Sequence, residues 1–176
     1  MENRNTFYKM TKTVTQIESP MEWESESDWD SHRELLYLAL ENTDGFVIEL
    51  GSGFGSTPLL QDYCREKNRD FITYETNKEW AEKKGSVHTE TYFKELGKIG
   101  LLFIDCAPGE IRKDLIEFYK EDAVVIMSHD TENGAIYVYH MEEVLSSFKY
   151  RLDYQPKEKP STTIVSETVN VCEWVM

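Results

Sequence analysis

The sequence predicts an α/β fold: a seven-stranded, mostly parallel sheet with helices on both faces and a C-terminal antiparallel hairpin. Three observations carry this. Apolar runs alternate with helical segments from residue 46 to about residue 148, the order that builds parallel pairs through crossovers. The runs are near-continuously apolar, as suits strands covered on both faces. The last two runs, 150–155 and 161–168, are joined by Pro156-Lys-Glu-Lys-Pro160, a connector too short for a parallel crossover, so they pair antiparallel.

The elements follow in order. Residues 1–30 have no clear periodicity and read as an N-terminal arm or lid carrying Trp23 and Trp29, ahead of a single domain over 31–176. Ser31-His-Arg-Glu34 has the pattern of a capping box before Leu35, Leu36, Leu38 and Leu40, so a helix begins there. Strand 46–51, helix 58–68, strand 71–75 and helix 77–84 come next, the last opened by Thr76-x-x-Glu79. A short strand near 87–91, strand 100–105, helix 110–120, strand 123–129 and a helix from about 135 to 148 complete the alternation.

Composition narrows the class of function. A chain of 176 residues can bury one core without staples. The net charge of −14 repels phosphate backbones and argues against a broad nucleic-acid groove. Six acids between Glu18 and Asp30 read as a solvated stretch. Cys64, Cys106 and Cys172 lack metal or disulfide spacing and fit a reducing compartment. With no apolar run of about 18 residues and no secretory leader, no membrane span is expected and the cytoplasm is the expected location.

The motif that carries chemistry is Phe46-Val-Ile-Glu-Leu-Gly-Ser-Gly-Phe-Gly-Ser-Thr-Pro58. An apolar strand ends in an acid and enters three glycines spaced two apart, which allows a tight turn and close approach of a ligand to the backbone. Thr57-Pro58 reads as the cap and first-turn proline of the next helix. A dinucleotide fingerprint has glycine where Ser56 stands. Downstream, Phe71-Ile-Thr-Tyr-Glu75 ends in a carboxylate able to accept from both hydroxyls of a ribose diol.

Glu49-x-Gly51-x-Gly53-x-Gly55 resembles motif I of the class I S-adenosylmethionine (SAM)-dependent methyltransferases, and Glu75 falls where that family binds the SAM ribose. The resemblance implies cofactor contacts at Glu49, Gly51, Ser52, Gly53, Gly55, Ser56, Thr57, Glu75 and Asp105, with the seventh strand inserted antiparallel between the fifth and sixth. It implies methyl transfer to an acceptor, with O-methylation of a small or sugar-like molecule favoured. A non-catalytic or regulatory SAM- or nucleotide-binding module is the alternative.

In open α/β sheets ligands lie beyond the carboxyl ends of the strands. Asp105-Cys-Ala-Pro-Gly109 and Ser128-His-Asp-Thr-Glu132 end neighbouring strands and should face one cleft. His129 or Asp130 could serve as general base toward an acceptor hydroxyl or amine. Asp105 and Asp130 could instead hold Mg²⁺, as in the catechol-type O-methyltransferases, although His-Asp-Thr-Glu stands here where those carry Asp-Asn. A third reading makes both carboxylates helix caps. Cys106 reads as a small packed residue, because Asp105 disfavours a thiolate beside it.

Overall fold

The computed structural model describes residues 9–18 and 30–175. Trp23 and Trp29 lie outside the described residues. The strands are β1 (Met10–Val14), β2 (Val47–Leu50), β3 (Phe71–Glu75), β4 (Val87–His88), β5 (Ile99–Ile104), β6 (Ala123–His129), β7 (Tyr150–Tyr154) and β8 (Thr162–Ser166). They form one sheet in the order β1-β7-β8-β6-β5-β2-β3-β4. β8 runs antiparallel to both neighbours, β6 and β7, and every other pairing is parallel. The expected insertion of the last strand between the two before it is present.

The described residues form eight strands rather than the seven expected. Residues 10–14, which sequence periodicity left inside the arm, pair with β7 from Met10↔Tyr150 to Val14↔Tyr154. This edge strand is mostly exposed or half-buried. It has no apolar run to announce it, because its hydrogen bonds to β7 rather than a buried face hold it in place.

Helices α1 (Arg33–Glu41), α2 (Ser56–Glu66), α3 (Lys78–Lys84), α4 (Arg112–Tyr119), α5 (Ala135–Val138) and α6 (Met141–Leu145) fill the connections. Successive strand residues feed two cores. Val47, Leu101, Phe103, Val125 and Met127 pack with Leu35, Leu36, Leu59 and Leu60 of α1 and α2. Ile48, Leu50, Leu102, Ile104 and Ile126 pack with Leu115 and Ile116 of α4 and Met141 and Leu145 of α6. Burial on both faces is why these strands read as unbroken apolar runs. Truncating one of these buried leucines to alanine costs about 2–5 kcal/mol.

Three local expectations are corrected. Ser31 does not cap α1: the N-cap is His32, without a side-chain cap bond, and the Ser31 hydroxyl donates instead to the Pro160 carbonyl at 2.9 Å. The helix after β3 is capped by Asn77, whose side chain accepts from Trp80 N–H at 3.0 Å, one residue later than the Thr76 box implied. The helix expected over 135–148 is two short helices parted at His140, which takes a left-handed backbone with φ 54°. That turn buries Met141 and Leu145 while Tyr137 and Val138 stay exposed, a division no single straight helix face provides.

Candidate functional site

The C-terminal ends of the central strands are level. Leu50 pairs with both Tyr74 and Ile104, and Ile104 pairs with Ser128, so the residues just beyond them share one edge. Gly51 turns the chain there with φ +92°. A Cβ on Gly51 would stand 2.5 Å from the Asp105 carbonyl oxygen and the Cys106 Cα, so only glycine lets this loop press on the backbone at the end of β5. Gly53 and Gly55 serve otherwise. A Cβ on Gly53 would meet only Ser56 Oγ, at 3.1 Å, and Gly55 has helical angles as the N-cap of α2 and leaves room for the Asp30 carboxylate.

Thr57 is therefore not the cap. Its hydroxyl accepts from Gly53 N–H at 2.9 Å and donates to Glu49 Oε2 at 2.7 Å, tying the glycine loop to β2. Glu49 is wholly buried. Burial pushes its pKa up to about 7, against the opposing pull of the Ser56, Thr57 and Thr73 hydroxyls. Its Oε1, Ser56 Oγ and Thr73 Oγ1 are all buried without a hydrogen-bond partner, so of the three hydroxyls only that of Thr57 bonds the carboxyl.

Glu75 ends β3 against the same loop. Its Oε2 accepts from the Ser52 N–H at 3.2 Å and lies 3.4 Å from the Ser52 hydroxyl. Its Oε1 accepts from Asn77 N–H at 2.8 Å and from the Tyr92 hydroxyl at 3.4 Å. Trp80 donates its indole N–H to the Ser52 carbonyl at 2.7 Å and meets Phe54 edge-on at 5.2 Å. Phe54, at the loop tip, is 68% exposed. Asn77, Trp80 and Tyr92 were missed as site residues; the Asn-x-x-Trp cap spacing was the available signal for the first two.

The ends of β5 and β6 come together as expected, around a residue the sequence did not single out. Arg112, at the start of α4, is almost fully buried. It pairs with Asp105 at 3.0 Å and Asp130 at 3.1 Å, and it donates to the carbonyls of Cys106 and His129, each at 2.9 Å. Neither carboxylate caps a helix: the N-caps of α4 and α5 are Ile111 and Gly134. The cation bridging Asp105 and Asp130 is this guanidinium, so Mg²⁺ between those two carboxylates would have to displace it.

His129 is 2% exposed. Its Nδ1 stands 3.4 Å from Asp105 and 3.5 Å from Asp130, and its Nε2 is 3.1 Å from the Ser31 hydroxyl. Burial would lower its pKa, but the Asp105 hydrogen bond and the two carboxylate charges outweigh it and hold the pKa above the ordinary value. Burial would likewise raise Asp105, and His129 and Arg112 together draw it below the carboxylate range. Both aspartate side chains remain 23% exposed, so the carboxylates, rather than the buried imidazole, reach solvent at this edge. Asp130 holds a left-handed backbone, φ 55°, which short polar side chains tolerate.

His32 packs on Phe103 and edge-on against His129, with ring centroids 5.2 and 4.8 Å apart. Burial, with His129 second, lowers its pKa to about 3. Cys106 is buried, and burial pushes its thiol up to about 12, which removes a thiolate nucleophile from this edge. Among the described residues no helix is long and apolar enough to cross a membrane.

An eight-stranded α/β sheet with its last strand inserted antiparallel, and an acid-glycine loop beside a second strand-end acid, define a class of fold found among methyl-transferring proteins. Solved structures agree. The METTL16 MTase domain is 14% identical over 78% of this chain and 68% of that one, with a TM-score of 0.54. Cofactor-bound Rv0187 from MTB is 13% identical over 87% of this chain and 84% of that one, with a TM-score of 0.56. The human methyltransferase 10 domain containing protein is 10% identical over 77% and 82%, at 0.50. This chain thus has the class I SAM-dependent methyltransferase fold. No protein-family model and no curated protein matches the sequence.

Proposed function

We propose that this protein is a SAM-dependent methyltransferase that binds its cofactor over the ends of β2 and β3 and methylates an acceptor held toward Asp105 and Asp130. One observation carries the reading: Gly51, at a backbone angle only glycine adopts freely and in contact with the end of β5, brings the loop beside Glu75. Glu75 would take the ribose diol, exchanging its two 3.4 Å contacts with Ser52 and Tyr92 for shorter bonds to the sugar. Backbone at Gly51, Ser52, Gly53 and Gly55 would line the cofactor, with Glu49, Ser56 and Thr57 supporting the loop from beneath.

The sulfonium is itself an activated methyl donor, so the protein's part is positioning and exclusion of water. Asp130 or Asp105, the exposed ends of the cluster, would take the acceptor proton, with His129 and Arg112 orienting them. O-methylation of a small or sugar-like acceptor is favoured, since the charge of −14 disfavours a polyanionic one. Three cysteines buried as free thiols support a cytoplasmic setting.

Calorimetry with SAM, S-adenosylhomocysteine and NAD tests the cofactor: micromolar binding of the first two without NAD is expected, and tighter NAD binding would overturn the reading. Conversion of SAM to S-adenosylhomocysteine in an acceptor screen separates enzyme from regulatory module, which binds without turnover.

A further inference from the structure

We propose that His32, Asp105 and His129 form a site for one divalent transition-metal ion, set on the α1 side of the sheet beneath the ends of β5 and β6. One potential ligating atom from each residue lies within 4.8 Å of the others. Ligands on a tetrahedral ion, bound at about 2.0–2.2 Å, stand roughly 3.3–3.6 Å apart. The three side chains therefore need to close by about an ångström, within the reach of small χ rotations.

His32 is the second, independent observation. It is 2% exposed, and neither its Nδ1 nor its Nε2 has a hydrogen-bond partner. A buried imidazole leaves at least one donor and one acceptor unsatisfied in that state, each at a real free-energy cost, and such groups call for a partner. Phe103 and His129 lie against the ring and the Gly55 backbone approaches its edge, so the partner has to be small. A single ion fits, and the partly exposed edge of Asp105 gives it a way in.

The chemistry of the donors selects the ion. Two imidazoles and one carboxylate suit zinc, iron, cobalt or manganese, whereas Mg²⁺ prefers an all-oxygen shell. Asp105 has one oxygen on Arg112 and the other turned to His129, so it can bind the ion without releasing the guanidinium. With His129 neutral, as a metal ligand must be, the two carboxylates exceed the one guanidinium in charge, which favours a cation. This site does not depend on the SAM reading.

The test is metal titration of the full chain, stripped with chelator and then given Zn²⁺ or Co²⁺ in excess Mg²⁺. One equivalent bound at micromolar affinity or tighter is expected, with visible d–d absorption from Co²⁺. His32→Gln should weaken binding at least 100-fold, and Asp130→Asn less than ten-fold. Circular dichroism establishes that each variant is folded, and His129→Gln replaces His32→Gln if the latter is not. Absence of a stoichiometric ion, equal binding by the folded histidine variant, or loss that follows Asp130→Asn instead would overturn the site.

Discussion

Arg112 Nη1 reaches Asp130 at 3.1 Å while the same nitrogen donates to the His129 carbonyl at 2.9 Å. One guanidinium thereby holds the side chain and backbone at the end of β6, and through Nη2 and Nε the Asp105 carboxylate and Cys106 carbonyl beyond β5. The edge where chemistry is proposed is thus held together from α4 by a planar fork of donors.

Arg112→Met should leave two carboxylates and two carbonyls without their donor. A loss of about 3–5 kcal/mol is expected, the scale for breaking a buried ion pair from one side. Arg112→Lys should recover only part of it, since an ammonium cannot reproduce the fork. Urea denaturation midpoints measure both; a loss under about 1 kcal/mol for the Met variant would mean the pairs are solvated.

The glycines of the loop should not respond alike. Gly51→Ala combines a strained backbone with collision against the end of β5, and a cost of about 2 kcal/mol or more is expected. Gly53→Ala meets only a serine hydroxyl and should stay within about 1 kcal/mol of wild type. Thermal unfolding of the two single variants gives the order directly.

Glu49 makes stability depend on pH. Its folded pKa, about 7 against an ordinary 4.5, means the folded state holds this proton more tightly, so the stability it contributes is complete below about 4.5 and lost as pH rises through about 7. His129, also raised, contributes in the same direction above about 6.5. His32, lowered to about 3, acts oppositely: its contribution is present above about 6.5 and lost toward pH 3. Glu49→Gln, which imitates the protonated acid, should gain on wild type by up to roughly 3 kcal/mol between pH 4.5 and 8. Parallel stability curves for the two proteins would contradict a buried, titrating Glu49.

Asp130→Asn separates chemistry from cofactor binding. SAM affinity should stay within a few-fold of wild type while turnover falls roughly 100-fold, the scale for losing a positioned acid-base group. Parallel loss of affinity and turnover would assign Asp130 to holding Arg112 alone. Single-turnover rates at saturating SAM, beside a calorimetric Kd, distinguish the two.

The central strands, their alternation with helices, the antiparallel ending and the acid-glycine loop were all legible from residues 46–168. Each rests on local pattern: strands buried on both faces must be apolar throughout, a short connector forces antiparallel pairing, and a tight turn demands glycine. Which glycine bears the strain was not legible, because Gly51 is singled out only by the backbone of Asp105 and Cys106, more than fifty positions away. Nor was β1, whose polar edge is held by hydrogen bonds to β7. Ser31 and Glu34 satisfy a capping pattern locally, yet the fold draws Ser31 to His129 and Pro160, and Glu34 accepts the Tyr154 hydroxyl. Arg112 sits in an ordinary amphipathic helix sequence, and only the adjacency of β5 and β6 sets its charge between two aspartates. Local order follows from the side chains that a segment itself contains, whereas ionisation and polar partnership depend on burial and on distant neighbours, which only the folded chain brings together.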